Sequence, residues 1–204
     1  MRELIRSLVV LVVMSLLTGV IYPLIITGIA KAGFRYQAQG SLLKTDGKIV
    51  GSTLVGQYFS SPNYFHGRPS AIDKAYDAGN SGGSNFGPSN RKFIEDVSGR
   101  IEKVRKDNRL ESSASVPADL VLASASGLDP HISIEGATIQ IKRIAKVRGI
   151  HEPDLQDLIE RSTETPLPVF FGQKRINVLK LNLALDELSR RHNRPESPKP
   201  DKRG

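Results

Sequence analysis

A run of 24 residues without a charge, residues 7–30, lies close to the N-terminus and consists mostly of Leu, Val and Ile. About 20 apolar residues in a helix span the hydrocarbon core of a bilayer, so the run predicts a transmembrane helix. A cleaved signal peptide is the alternative, but its apolar region would hold only about 7–15 residues. A retained anchor is therefore the preferred interpretation. No second run of this length follows, which predicts a single crossing.

Two features inside this span predict that it packs against other helices. The dipeptide Tyr22-Pro23 places a proline, which lacks a backbone donor and can kink a helix, within the run. Small residues spaced four apart let a second helix approach closely. They form two pairs: Ser15 with Gly19, and Gly28 with Ala32. Bases flank the run on both sides, so charge alone does not choose its orientation.

The net charge of +8 is concentrated at the C-terminus. Residues 189–204 hold six bases against two acids, which is half of the total, and carry no apolar residue. Such a stretch predicts a disordered basic tail, with contact to phosphate or anionic lipid as the alternative. Nucleic acid is not a predicted partner. The absence of Cys excludes a thiol nucleophile and any thiolate metal site.

Between the flank 1–6 with its helix 7–30 and the tail, residues 35–188 predict one soluble α+β domain. Residues 42–55 indicate a hairpin, because Asp46-Gly47 suits a type I′ turn. Helical spacing predicts helices from the N-cap Asn90 to about residue 106, over 137–147, and from Pro153. Residues 167–172 are predicted to be extended. Alternating leucines over 176–185 indicate a strand that turns helical near Asp186.

A loop rich in Gly, Ser and Asn occupies residues 77–90. Its backbone N–H groups could form a nest for an anion or phosphate, or the segment could simply be an ordered loop fixed by local hydrogen bonds. The ordered loop is the preferred interpretation. No Gly-x-x-x-x-Gly-Lys-Ser/Thr motif occurs, so the sequence encodes no P-loop nucleotide site.

The turn at residues 126–131 displays Asp129 and His131 between Gly127 and Pro130. An Asp and a His near serines suggest a hydrolase, yet no Gly-x-Ser-x-Gly elbow is present. The four histidines have no metal-binding spacing, so no metal site is predicted. A structural turn is preferred. A membrane-anchored hydrolase and a solitary ligand-binding protein stay as alternatives.

Several blocks, in order over about residues 5–188, resemble the C subunit of the Kdp-type potassium-transporting ATPase. No one block is decisive, but together they make the resemblance specific. The sequence departs from the family's usual pattern at residues 122–127 and at Gly172-Gln173. The matching blocks are Thr18-Gly19 with Tyr22-Pro23-Leu24, then 51–59, 64–71, 81–85 with 87–90, 116–120, 126–133, Arg148-Gly149, and 177–179 with 182–186.

The resemblance implies a non-catalytic accessory subunit of a high-affinity ATP-driven potassium uptake pump. Such a subunit would assist assembly and raise the ATP affinity of the ATP-hydrolysing subunit. Implied partners are that P-type subunit, a potassium-channel-like subunit and membrane lipid. No cofactor would be firmly bound, and ATP would be contacted only transiently with the partner. The implied location is the bacterial inner membrane, with one span and an extracytoplasmic soluble domain.

The matching motifs also carry over a set of residues that would contact a nucleotide or a partner subunit. No catalytic residue is among them. The set comprises Gly67, Arg68, Pro69, Ser81, Gly82, Gly83, Ser84, Asn85, Gly87, Ser126, Gly127, Asp129, Pro130 and His131.

Overall fold

A computed structural model describes residues 1–72, 74–166 and 172–192 of the chain. Residues 167–171 of the predicted extended segment and residues 193–204 of the predicted tail lie outside the described residues. The chain divides into two compact units, Met1–Ser52 and Thr53–Gly204. The hairpin belongs to the first unit, so the second unit begins later than the domain start predicted at residue 35.

The first unit begins with an apolar helix, Arg2–Gly33, which among the described residues is the one helix long and apolar enough to cross a membrane. The prediction of a single apolar N-terminal helix is confirmed. It consists of α1 (Arg2–Leu16), a π-helical turn (Leu17–Ile21) and α2 (Tyr22–Gly33). Pro23, which has no N–H to donate, is the second residue after the π-turn and lies in the first turn of α2, where the N–H would have no partner within that helix.

A short helix α3 (Arg35–Ala38) leads into the predicted hairpin. Strands β1 (Leu42–Thr45) and β2 (Lys48–Ser52) pair antiparallel. Asp46 and Gly47 both have positive φ, +51° and +77°, as a type I′ turn requires. The hairpin prediction is therefore confirmed, with β2 ending at Ser52.

The second unit is a mixed helix and strand region, so the α+β prediction is confirmed. Its sheet has the antiparallel order β3-β5-β4, with α8 following directly on the central strand. The elements are α4 (Arg91–Asn108), a 3-10 turn (Ala118–Leu120), β3 (His131–Ile132), α5 (Ile134–Thr138), α6 (Ile141–Arg148), α7 (Glu152–Ser162), β4 (Thr163–Glu164), β5 (Arg175–Asn177) and α8 (Val178–His192).

The core of this unit lies among α5, α6, α7 and α8. Phe65, from the segment before the Gly-rich loop, is inserted into it and is fully buried. Burying large aliphatic and aromatic side chains supplies most of the stability of such a region. Among the described residues, the fully buried apolar residues of the core are Phe65, Ile132, Ala137, Ile144, Leu155, Ile159, Ile176, Leu181 and Leu185.

Two helix boundaries follow the sequence signals closely. The Asn90 side chain accepts from the Phe93 N–H at 3.1 Å and caps α4, which continues to Asn108. Gly149 ends α6 with φ +66°, as predicted for a glycine after a helix. The helix predicted over 137–147 is in fact two helices, α5 and α6, separated at Ile139 and Gln140.

The strand predicted over 176–185 is wrong. Only Arg175–Asn177 is extended, and α8 starts at Val178. The Asn177 side chain accepts from the Lys180 N–H at 3.2 Å and so caps the helix. Leucines two apart fit either period, but Leu181 and Leu185 lie four apart and share the buried helix face. The helix continues through His192, four residues into the stretch assigned to the tail.

Candidate functional site

The segment around Phe65, residues 62–68, contains no helix or strand, and side chains from α8 and from the connection between α5 and α6 bind its backbone. Asn182 in α8 accepts from the Phe65 N–H at 2.8 Å and donates to the Phe65 carbonyl at 2.9 Å. Gln140 binds the backbone of His66 in the same way: it accepts from the His66 N–H at 2.8 Å and donates to the His66 carbonyl at 3.1 Å. Buried peptide groups need partners, so the two amides perform here the role of a neighbouring strand.

Arg143 in α6 adds a charged donor to the same segment. It donates to the carbonyl of Tyr64 at 3.0 Å and also to that of Pro62. Its remaining nitrogens bond to Asn108 at 3.0 Å and to Gln140 at 2.7 Å. Burial lowers the pKa of Arg143 to about 10, so the guanidinium is still charged at neutral pH.

Arg148 at the end of α6 binds the beginning of the segment. Its Nε donates to the Asn63 carbonyl at 2.6 Å, and it pairs with Asp186 of α8 at 2.8 Å. The guanidinium lies 4.7 Å from the ring centroid of Tyr64, within cation–π range. The motif beginning at Tyr64 is thus fixed by polar side chains that the sequence analysis did not select. The signal that could have identified these side chains is a polar residue on an otherwise apolar helix face.

Arg68 lies at the end of this segment and contacts the predicted turn. Its Nη1 donates to Asp129 Oδ2 at 2.9 Å, and Nη2 lies 3.3 Å from the carbonyls of both Leu122 and Ala123. Among the described residues, its Nε is the one buried side-chain nitrogen or oxygen without a hydrogen-bond partner. The structure therefore joins two motifs, 67–69 and 126–131, that the sequence could not place relative to each other.

Tyr76 fills the space between Gly56 and Gly67, behind Arg68. Its hydroxyl donates to the Arg68 carbonyl at 2.7 Å. A Cβ at Gly67 would lie 2.8 Å from the Tyr76 hydroxyl oxygen, and a Cβ at Gly56 would overlap the ring. Burial raises the pKa of Tyr76 to about 12, so the phenol is a constant hydrogen-bond donor.

The Gly-rich loop packs against the same turn. The Gly82 N–H donates to the Ser126 carbonyl at 3.0 Å, and the Ser81 hydroxyl donates there at 3.1 Å. A Cβ at Gly83 would lie 3.0 Å from the Ala125 carbonyl oxygen, so the backbones approach closely. The backbone N–H of Gly82 is thus hydrogen-bonded within the protein.

The rest of the loop leads away towards α4. Ser84, Asn85 and Gly87 are exposed. Asn85 has φ +51°, and the Gly87 carbonyl accepts from the N–H of the helix cap Asn90 at 3.0 Å. The structure therefore brings Ser81, Gly82 and Gly83 to the turn, whereas the other three predicted loop residues form the approach to α4.

Asp129 and His131 belong to a cluster of titratable side chains. Asp129 Oδ1 accepts from the His131 N–H at 3.0 Å and lies 3.5 Å from His131 Nδ1. The other ring nitrogen is 3.7 Å from Glu164 of β4, and Glu164 accepts from Lys180 at 2.7 Å. Burial alone would raise the pKa of Glu164, but the hydrogen bond and charge of Lys180, with smaller contributions from His131 and Arg175, lower it.

The serines of the turn are hydrogen-bonded to backbone groups and not to His131. Ser124 Oγ accepts from the Gly127 N–H at 2.9 Å, and Ser126 Oγ accepts from the Leu128 N–H at 3.1 Å. Ser133 caps α5 by accepting from the Gly136 N–H at 2.9 Å. A Ser-His-Asp site needs a serine hydroxyl bonded to the imidazole, and here both ring nitrogens face carboxylates. The geometry therefore favours a structural turn.

Asp129 makes the stability of the second unit sensitive to acid. Burial alone would raise its pKa, but hydrogen bonds from His131 and Arg68 outweigh burial and lower it to about 2. A lowered carboxyl pKa stabilises the fold above its unfolded value near 4, and this contribution is lost as the pH falls towards 2.

We therefore expect Asp129→Asn to lower the free energy of unfolding by about 1–2 kcal/mol at pH 7, with the difference shrinking below about pH 4. The measurement is urea unfolding of the full chain in detergent, followed by circular dichroism across pH. Asp157→Asn is the matched control, because this exposed carboxylate pairs with Arg161 one helical turn away. A difference independent of pH would contradict the assignment.

An open cavity of about 860 Å³ lies beside the Arg68–Asp129 pair. Asp119, on its wall, already accepts from the Ser133 N–H at 2.5 Å. Neither sign of charge dominates the wall, so the cavity is not a dedicated phosphate site. Within 1–72, 74–166 and 172–192, no group of three or more His, Asp or Glu is placed to hold a metal. The other titratable lining residues are Glu135, His131, Lys174 and Arg175.

The residues predicted to pack against partner helices lie along the apolar helix and are exposed. A Cβ at Gly19 or Gly28 would meet no atom within 4 Å. The helix is therefore open to a close neighbour at these positions. The predicted set is Ser15, Gly19, Tyr22, Pro23 and Gly28.

Comparison with known proteins identifies the family. The family described as KdpC, the K+-transporting ATPase c chain, matches residues 4–187. The chain belongs to this family. It is 47% identical to a potassium-transporting ATPase KdpC subunit from Caldanaerobacter subterraneus subsp. tengcongensis, over 94% of this chain and 98% of the relative. It is 50% identical to a KdpC subunit from Polaromonas naphthalenivorans, over 92% and 96% of the two chains.

Membership confirms the resemblance found in the sequence. The chain is a KdpC subunit of a K+-transporting ATPase, and not its catalytic subunit. The apolar helix Arg2–Gly33 accordingly fits a membrane anchor.

Proposed function

We propose that this chain is an accessory subunit that assists assembly of an ATP-driven potassium uptake pump and raises the ATP affinity of the ATP-hydrolysing subunit. The observation that carries the proposal is that the side chains that could have served in catalysis are hydrogen-bonded within the protein. Asp129 bonds to Arg68 and to the His131 N–H, while the nearby serines bond to backbone groups. Such a region suits a role in binding and positioning partners.

The proposed partners are a P-type ATP-hydrolysing subunit, a potassium-channel-like subunit and membrane lipid. The anchor Arg2–Gly33 would dock on partner helices through its small residues in the bacterial inner membrane. We place the soluble region on the extracytoplasmic side. In that orientation an effect on ATP affinity would pass through the partner as a coupling free energy, without direct contact between this chain and ATP.

The first test is purification of the tagged full-length chain in mild detergent. We expect a large ATPase subunit and a multi-span potassium-conducting subunit to copurify, and omission of this chain to raise the KM for ATP in a potassium-stimulated ATPase assay. Recovery of the chain alone, together with an unchanged KM when it is omitted, would contradict the proposal.

A charge substitution separates direct ATP contact from indirect coupling. Ser84 is exposed in the Gly-rich loop and Ser98 is exposed in α4. If the loop contacts phosphate, Ser84→Glu raises the KM for ATP about tenfold by like-charge repulsion, whereas Ser98→Glu leaves it unchanged. If both variants keep the wild-type KM, ATP binding by this loop is refuted and the coupling acts through the partner.

A further inference from the structure

The short segment that follows the apolar helix is fixed in position by its own hydrogen bonds. The Ser41 N–H donates to the Tyr36 carbonyl at 3.0 Å, and the Tyr36 hydroxyl donates to the Ser41 carbonyl at 3.1 Å. Ser52, at the end of β2, donates to the Gly40 carbonyl at 2.6 Å. Both ends of the hairpin are thereby tied to the residues that leave the membrane span.

Aromatic side chains lie at this exit. Phe34 and Tyr36 are 60% and 49% exposed, immediately after the helix ends at Gly33. Aromatic rings are enriched at the level of lipid headgroups, where an apolar body and a polar edge are both satisfied. Their position indicates that α3 lies at the membrane–water boundary.

Basic side chains surround the same exit. Residues 31–52, all of which the structure describes, contain four bases and one acid, Asp46, giving a net charge of +3. All four bases are exposed, and among the described residues none lies within ion-pair distance of a carboxylate. The bases are Lys31, Arg35, Lys44 and Lys48.

One face of the hairpin adds exposed apolar area to this charge. Lys44 lies directly opposite Ile49 in the strand register, so their side chains share a face. Ile49 is 59% exposed and Leu42 is 36% exposed. A basic and apolar surface next to a membrane span is typical of segments that bind at the lipid interface.

We propose that residues 34–52 form a membrane-proximal collar that binds the headgroups of anionic phospholipids around the anchor. The collar holds three exposed bases and one acid, a charge complementary to phosphate, and it follows the apolar helix directly in the chain. Lys44 lies about 7 Å into β1, and screening in salt acts over about 8 Å, so its ammonium is within electrostatic range of the headgroup layer. The inference is independent of the proposed pump function.

The test uses the absence of Trp from the chain, since one introduced Trp becomes the sole indole. Ile49→Trp is placed in full-length protein in vesicles of phosphatidylcholine and phosphatidylglycerol, which add no Trp of their own. In one sample the acyl chains of phosphatidylglycerol carry bromine, and in a second sample those of phosphatidylcholine do. The two brominated lipids are present at the same mole fraction. We expect brominated phosphatidylglycerol to quench about twice as strongly as brominated phosphatidylcholine, and the excess to disappear at about 1 M salt.

Charge variants decide whether the two lysines of the hairpin, Lys44 and Lys48, recruit the lipid. Lys44→Gln with Lys48→Gln should bring the quenching ratio of the two lipids close to one, and Lys44→Arg with Lys48→Arg should preserve the excess. Leu17→Trp, within the span, is the control for incorporation and should be quenched by both lipids. Equal quenching of Ile49→Trp by the two lipids, no quenching by either, or an excess that survives the glutamine variant would each overturn the proposal. If a partner protein copurifies and Ile49→Trp shows no preference between the two lipids, the surface binds protein and the proposal is overturned.

Discussion

Replacing Asn182 by leucine is expected to lower the free energy of unfolding of the second unit by about 2–5 kcal/mol, because two buried peptide groups lose their partners. The Asn182 amide is 2% exposed and supplies both hydrogen bonds to Phe65. Leucine has a similar volume, so the loss reports unsatisfied polar groups and not a cavity. Urea unfolding of the full chain in detergent, followed by circular dichroism, measures the change.

The matched control is Asn80→Leu, since Asn80 is exposed and its backbone N–H donates to the Asp77 carbonyl at 3.0 Å. We expect this control to change stability by less than about 0.5 kcal/mol. If Asn182→Leu were equally mild, the amide would not be supporting the Phe65 segment.

Local signals in the sequence predicted the features that depend on neighbouring residues. The apolar run identified the long helix, Asp46-Gly47 identified the hairpin, and Asn90 identified the start of α4. Each of these features is decided within a few residues of the chain, by hydropathy, by positive φ or by a capping hydrogen bond.

The start of α8 could not be predicted from such local signals. Leu179, Leu181 and Leu185 fit an alternating pattern as well as a helical one, and a short apolar run does not separate the two. The choice depends on which face the core buries, which is a property of the packed unit. The same limit applies to the amides of Gln140 and Asn182, whose partners are 74 and 117 residues away along the chain.

In the candidate site too, the sequence predicted local motifs but not the contacts between residues far apart in the chain. The sequence identified the motif containing Arg68 and the turn containing Asp129 as separate blocks. Their ion pair at 2.9 Å spans 61 residues and needs the fold to form. Glu164 and Lys180, which complete the charge cluster around His131, belong to no motif that the sequence analysis recognised.

Gly56→Ala is expected to lower the free energy of unfolding of the second unit by about 2–4 kcal/mol, because one added methyl group overpacks a filled space. Its Cβ would overlap the Tyr76 ring and lie 2.7 Å from the Asp129 carbonyl oxygen. The backbone cannot move away freely, since the Gly56 N–H donates to the Leu128 carbonyl at 2.8 Å. The substitution would therefore loosen both Tyr76 and the turn that carries Asp129.

Gly99→Ala is the opposite case and serves as the control. Gly99 lies inside α4 and a Cβ there would meet no atom within 4 Å. Alanine in the middle of a helix is favoured over glycine by about 0.5–1 kcal/mol, so this variant should be more stable than the wild type. Opposite signs for the same chemical change would establish that Gly56 is required for close packing. If Gly56→Ala were neutral or stabilising, the contact between Tyr76 and the turn would be looser than the structure indicates.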